Sequence, residues 1–439
     1  VLRRAGFRVH ALDLSLERLD PEVLADARLV AISLGMHTAT RIALEALPRI
    51  RALAPNAALC AYGLYAPINE SMLNALGVDT VLDAEPEAAL LALCEKLRDG
   101  GTTREENATA RKTRRQPFEV PDRSILPKLS RYAHLVLPDG STRVAGFAEG
   151  SRGCKHLCRH CPVVPVYQGR FRAVPVAVVL EDIAQQVREG ARHISFGDPD
   201  FFNGPTHGLR LARALHASFP EVTFDATVKI QHLVEHAGLL PELRASGCLF
   251  VTSAVEAVDD EILRLLAKNH SAADFDRAVA LTRAAGIALA PTFVAFTPWT
   301  TLEGYVALLE RLVRLRLVQS VPPVQLSIRL LVPAESWLLK LPGFRERLGP
   351  FDAALLGYPW QHPDPRVDRL QHDVQTLVAR SEAQTLSRRE TFAAIWRMAH
   401  VAAERDVPTL PEDLGMPIPR LSEPWYCCAE PTAQQLQSF

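Results

Sequence analysis

Along the first hundred residues, short apolar runs alternate with longer stretches of helical period. Phe7 to Leu12, Ala27 to Gly35, Ala57 to Gly63 and Val78 to Leu82 read as strands, and Thr40 to Ala52 and Ile68 to Leu76 as helices between them. Strands alternating with helices of this length predict a doubly wound parallel sheet. Ligands on such sheets sit beyond the carboxyl ends of the strands, here around Gly35-Met36-His37-Thr38 and Tyr62-Gly63-Leu64-Tyr65. The chain opens at Val1, without a methionine and inside a helix-like segment, so either an opening strand is missing or the start lies elsewhere.

The pattern then changes twice. From Asp99 to about Pro127 it is rich in Gly, Thr, Arg, Lys and Glu, with a basic run at Arg111, Lys112, Arg114 and Arg115, and reads as a solvated linker without the aromatic platform of a nucleic-acid surface. His134 to Leu137, Pro138-Asp139-Gly140 and Arg143 to Ala148 predict a hairpin. Strands at Ile194 to Phe196, Thr223 to Val228, Leu249 to Ser253, Ala288 to Phe296 and Gln325 to Leu331 follow. Helices at Pro175 to Glu189, His207 to Ser218, Asp260 to Ala267 and Ala273 to Ala284 separate them. That alternation predicts a complete or partial barrel working at the carboxyl ends of its strands. Beyond Pro342 the chain is helix-like, above all Val367 to Ala403, and ends in a Pro-rich stretch and a short tail.

Composition narrows the class without choosing a function. A hydrophobic content of 48% over 439 residues fits two or three globular domains. The formal charge of -1 gives no global attraction to nucleic acid or an acidic membrane. No apolar run is long enough to span a bilayer and no signal pattern opens the chain, so a cytoplasmic location is expected. Five of the eight cysteines fall in two tight clusters, which is not a disulfide framework; Cys60, Cys94 and Cys248 sit in apolar segments and read as packing.

The first cluster is Gly153-Cys154-Lys155-His156-Leu157-Cys158-Arg159-His160-Cys161-Pro162. Three thiolates on one loop can hold three irons of a cubane cluster and leave the fourth open to a substrate or cofactor. Zinc is the rival, with His156 or His160 as fourth ligand. Three buried unpaired cysteines would need no metal at all.

The spacing C-x3-C-x2-C at the head of a partial barrel resembles the radical S-adenosylmethionine (SAM) superfamily over roughly residues 146 to 337. The resemblance implies that Cys154, Cys158 and Cys161 hold a 4Fe-4S cluster whose open iron binds the amino and carboxyl groups of SAM. An electron from the cluster would then release an organic radical. Phe196-Gly197-Asp198-Pro199 stands where that superfamily often has Gly-Gly-Glu-Pro, meeting the SAM amino group through backbone carbonyls. Ser253 and Glu256 resemble the segment contacting ribose and carboxylate, Pro291 to Pro298 the strand against adenine, and Arg329 lies in a following strand where a charge could face the barrel. The opening segment resembles the cobalamin-binding domains of radical enzymes in pattern but lacks the Asp-x-His-x-x-Gly motif. It is therefore read first as a Rossmann-like domain kept for packing or substrate contact, with cobalamin possible but not favoured.

The second cluster is Cys427-Cys428-Ala429-Glu430-Pro431. A bridge between adjacent cysteines closes a strained ring, so these thiols could bind a thiophilic atom, relay reducing equivalents or attack a substrate, the alternative being a disordered tail with incidental cysteines. The tail resembles the radical SAM family named for a CUAEP or CCAEP ending, and the layout resembles the arsinothricin-forming radical SAM enzymes. Both resemblances imply a catalytic role for Cys427 and Cys428.

The expected fold is α/β: a Rossmann-like, cobalamin-binding-like domain over 1–100, a linker and hairpin over 101–145, and a radical SAM partial barrel over 146–340. A helical region over 341–424 and a CCAEP tail over 425–439 complete it. The expected function is a radical SAM enzyme with a 4Fe-4S cluster and SAM, a small-molecule substrate and a flavodoxin or ferredoxin as electron donor, with no membrane or nucleic-acid partner. A cobalamin-dependent radical methyltransferase is the alternative, and a zinc-bound interaction protein a weaker one.

Overall fold

The structure is a computed structural model and describes residues 1–102 and 117–422. The basic run at 111–115 and the cysteine pair at 427 and 428 lie outside the described residues.

The front domain is a parallel sheet of β1 (Leu29–Ser33), β2 (Ala58–Tyr62) and β3 (Thr80–Val81), in that spatial order. The helix His37–Leu53 turns Ala43, Ala46, Leu47 and Ile50 into a core with Leu59 and Ala61 of β2, the stripe its spacing requires. Phe7 to Leu12, expected as a strand, forms none. Apolar alternation alone does not make a strand without a neighbour to take up its backbone hydrogen bonds.

The hairpin forms as expected from β4 (His134–Val136) and β5 (Thr142–Ala148). Its second arm is also the first barrel strand. β5 pairs in parallel with β8 (His193–Phe196), followed across the sheet by β9 (Thr223–Thr227), β10 (Cys248–Glu256) and β11 (Ala288–Phe293). Between β5 and β8 a short antiparallel ladder, β6 (Ser151–Gly153) with β7 (Phe171–Ala173), closes the loop that carries the three cysteines.

Gln325 to Leu331, expected as a sixth barrel strand, is instead a 3-10 turn at Pro323–Leu326 and one bridge from Arg329 to Phe296. Pro322 and Pro323 bring no N–H to a ladder. The Gln325 side chain accepts the Phe293 N–H at 3.0 Å in place of a backbone carbonyl. The sheet therefore stays open as a half-barrel.

The helical stretch from 367 to 403 is two helices, Pro365–Ala383 and Arg388–Ala402. Thr385 at φ 55 breaks the run, and Ser387 with Glu390 forms a capping box that starts the second. The chain then returns as β12 (Arg420–Leu421), antiparallel to β4 and so parallel to β5, completing a seven-stranded sheet. No helix among the described residues is long and apolar enough to cross a membrane.

Outward faces of the half-barrel strands, such as Ile194, Phe196, Phe224 and Ala226, are buried under the surrounding helices. The opposite faces carry Ser195, Thr227, Thr252, Ala254, Ala290 and Thr292, all half-buried. Closed barrels fill this space with bulky branched side chains. Here small side chains leave the interior partly open to solvent.

Candidate functional site

The loop from Cys154 to Cys161 lies at the carboxyl end of the half-barrel. Its entry depends on Gly153, whose φ of 80° and close approach to Tyr167 and the Arg170 carbonyl leave no room for a Cβ. Asn203, buried after β8, accepts the Lys155 N–H at 3.1 Å, donates to the Gly153 carbonyl at 3.2 Å, and lies 3.5 Å from Cys154 Sγ. Arg159 donates its backbone N–H to Leu266 and its guanidinium to the Leu265 carbonyl, while Ser336 Oγ donates to the Arg159 carbonyl. The loop is thus fixed at both ends by β8 and β10 connections.

Cys158 is buried and Cys154 and Cys161 half-buried, and no disulfide joins them. Burial pushes the Cys154 thiol up to about 11, so a thiolate there needs a compensating cation. Positive charge is supplied from two sides: Lys229 Nζ lies 3.7 Å from Cys158 Sγ, and the buried Lys268 ammonium is within electrostatic reach of Cys158 and Cys161. Three soft thiols on a rigid loop, faced by buried cations, fit an anionic thiolate-held iron cluster.

The two histidines of the loop turn elsewhere. His156 Nε2 is 3.2 Å from His232 Nε2 and 3.4 Å from Asp200 Oδ2, and His232 Nδ1 is 2.7 Å from that same oxygen. This buried trio is compact enough to hold a cation. The 2.7 Å contact is an ion-pair distance and leaves His232 Nδ1 and Asp200 Oδ2 without a hydrogen-bond partner, but the Lys229 charge that disfavours protonated His156 also disfavours a metal ion there. Burial opposes the Asp200 carboxylate, but its contacts with His156 and His232 outweigh that and hold it at about 2. His160 Nε2 is 3.1 Å from Glu256 Oε1. Neither histidine offers that nitrogen to a zinc ion shared with the thiols.

Glu256 sits on an irregular step of β10 with φ 70°, a rare conformation for a side chain of this size. That turn aims its carboxylate back over the loop, where Oε1 also lies 3.2 Å from Lys268 Nζ. Burial opposes its ionisation, but Lys268 and His160 hold it well below the ordinary carboxylate range.

The remaining sequence-predicted residues divide. In Phe196-Gly197-Asp198-Pro199, Gly197 is exposed beneath the Phe147 ring, which a Cβ would strike. Asp198 is buried, accepting the Gly150 N–H at 2.8 Å and the Ser151 hydroxyl, and burial raises its carboxyl to about 7. Phe196 packs outward in the core against Phe201 and Phe224. Ser253 is also buried away from the interior, donating to the Val228 carbonyl at 2.6 Å. Arg329 stacks on Trp360 and donates to Asp368 at 2.7 Å. Asn203, Asp200, Lys229, His232 and Lys268 carry no motif signal and are identified only by the fold.

The front domain meets the barrel beside this loop. Glu87 pairs with Arg152 and Glu85 with Arg172, residues of β6 and β7. His37, at the carboxyl end of β1, is buried with Nε2 2.9 Å from the Leu355 carbonyl.

Comparison with known proteins agrees with this geometry. Residues 149–300 match the Radical SAM superfamily. A tRNA-2-methylthio-N(6)-dimethylallyladenosine synthase of Chlorobium luteolum is 25% identical over 162 residues, which are 35% of this chain and 36% of that protein. The chain therefore spans about a third of the length of that curated relative. Among solved structures, the cobalamin-dependent SAM radical enzyme OxsB has a TM-score of 0.66 at 14% identity, covering 87% of this chain and 64% of its own. The radical SAM methyltransferase TsrM from Kitasatospora setae has a TM-score of 0.57 at 19% identity, covering 71% and 66%. The α/β half-barrel fold is shared with both, and residues 149–300 are a radical SAM superfamily domain, the domain of enzymes that work with a 4Fe-4S cluster and SAM.

Proposed function

We propose that the protein is a radical SAM enzyme in which Cys154, Cys158 and Cys161 hold the cluster. The observation that carries this reading is the rigid three-thiol loop at the mouth of an open half-barrel, faced by Lys229 and Lys268. When bound, the cluster and SAM supply reductive cleavage of a carbon-sulfur bond. The chain's own residues position them. Asn203 and Arg159 keep the thiols in register, Gly197 opens the turn after β8, and Glu256 presents a carboxylate at the mouth. Ser253 and Arg329 act from behind these groups, through the Val228 carbonyl and Asp368.

The substrate is a small molecule, for which the half-barrel interior lined by Ser, Thr and Ala side chains has room. Cys427 and Cys428 bind or process it, and a substrate containing arsenic or another thiophilic element suits adjacent soft thiols. The electron donor is a flavodoxin or ferredoxin, and the setting is cytoplasmic. The tRNA substrate named for the Chlorobium protein is not carried over, because the match is confined to 35% of this chain.

Anaerobic reconstitution tests the reading. The protein should take up iron and sulfide and cleave SAM under reduction, and changing all three loop cysteines to alanine should abolish both. 5'-Deoxyadenosine as product indicates hydrogen abstraction, and methylthioadenosine indicates aminocarboxypropyl transfer. Cys427→Ala/Cys428→Ala should retain the cluster and lose product.

A second reading, a cobalamin-dependent radical methyltransferase, is favoured by one observation: the Glu85–Arg172 and Glu87–Arg152 pairs seat the front domain against the cysteine loop. Tight retention of a corrinoid would decide for it.

A further inference from the structure

Lys229 follows β9 and is 6% exposed. A lysine this buried needs compensation, because desolvating an ammonium costs several kcal/mol. Its Nζ points at Cys158 Sγ, 3.7 Å away, within hydrogen-bonding distance for sulfur. Its backbone N–H faces Asp200 Oδ1 at 3.5 Å, and Asp200 Oδ2 lies 2.7 Å from His232 Nδ1 and 3.4 Å from His156 Nε2. The ammonium is therefore directed at one cysteine of the loop, while Asp200 lies against the Lys229 backbone. No surface ion pair offers so directed a charge.

We propose that Lys229 is a redox-tuning residue, a positioned N–H···S donor that stabilises the reduced cluster held by Cys154, Cys158 and Cys161. The proposal rests on the radical SAM reading of the site. The reasoning is electrostatic. A cubane of charge +2 with three thiolates carries a net charge of about −1, and taking one electron from a one-electron donor brings it to about −2. A fixed positive hydrogen-bond donor on a ligand sulfur favours the more negative state, and its low-dielectric surroundings weaken screening. Reduction is the step on which SAM cleavage depends, so a buried lysine here widens the range of donors able to drive it.

The other groups near the thiols do not replace it. Lys268 is shared with Glu256 at 3.2 Å, and the nitrogen His156 directs at its neighbours faces His232 and Asp200. Asn203 approaches Cys154 through its side chain at 3.5 Å without a charge.

The test is an EPR-monitored redox titration of the reconstituted full chain, without SAM or substrate, for wild type, Lys229→Met, Lys229→Gln and Lys229→Arg. Lys229→Met should lower the ratio of reduced to oxidised cluster at a fixed potential about tenfold, equal to about 59 mV for a one-electron couple. Lys229→Arg should restore most of it, and Lys229→Gln, a donor without charge, should fall between. Equal potentials in all four proteins at equal iron and sulfide content overturn the proposal. So do equal potentials accompanied, in a separate SAM-cleavage assay of the same four proteins, by a change confined to the KM for SAM, which makes Lys229 a SAM contact. If Lys229→Met does not hold four irons, the Gln and Arg variants decide by the same comparison. Failure of the wild type to hold a cluster counts against the radical SAM reading itself and is told apart at the iron analysis.

Discussion

Glu256 Oε1 and Lys268 Nζ lie 3.2 Å apart, both buried, and are brought together by a positive-φ step in β10 that turns the glutamate over the cysteine loop. Such a pair is weak evidence for stability, but removing one member strands the other charge. Glu256→Gln and Lys268→Met should each destabilise the protein by about 3–5 kcal/mol. The double variant should recover part of that loss. Denaturant unfolding of the four proteins measures the coupling, and strictly additive losses would show that the two charges do not depend on each other.

Asn203 joins three points of the loop, the Gly153 carbonyl, the Lys155 N–H and Cys154 Sγ. Asn203→Ala should leave the half-barrel folded, with a stability loss of about 1–3 kcal/mol from the unsatisfied groups. Iron content after reconstitution should fall by at least half. Full loading with unchanged EPR line shape would show that the ladder of β6 and β7 fixes the loop without it.

Asp198 gives the protein a pH signature. Burial raises its carboxyl to about 7, so the folded state keeps a proton that the unfolded chain releases near 4. The associated stability is complete below about pH 4 and is lost as pH rises through about 7, at about 1.4 kcal/mol per unit between. Asp198→Asn, which carries no titrating group, should show a flatter profile from pH 5 to 8. Parallel unfolding profiles for the two proteins would rule this out.

His37 bears on the cobalamin reading. Burial and Arg41 lower its affinity for a proton, and its Nε2 is engaged with the Leu355 carbonyl. A corrinoid bound at the end of β1 should therefore be histidine-off. The cob(II)alamin EPR spectrum should lack nitrogen hyperfine splitting, and His37→Ala should leave it unchanged. A histidine-nitrogen pattern lost in that variant would refute the assignment.

The sequence by itself determined the alternation of strands and helices, the hairpin before the cysteines and the three-thiol loop, because each is written in local period or spacing. It also marked Gly197 and Glu256 by their order after that loop. What it did not determine was anything that depends on a partner distant in the chain. Phe7 to Leu12 alternates like a strand and has no strand beside it; Gln325 to Leu331 is apolar enough for one, but two prolines and the Gln325 side chain end the ladder. Ser253 and Arg329 are themselves expected site positions, yet the pleat sends one outward and Asp368 holds the other. Lys229, Asp200, His232 and Lys268 lie 39 to 107 residues beyond Cys161 and acquire meaning only when β8, β9 and β10 lie side by side. Their charges are buried at an expense in solvation that only a folded partner can offset, so the tertiary structure alone decides which of them matter.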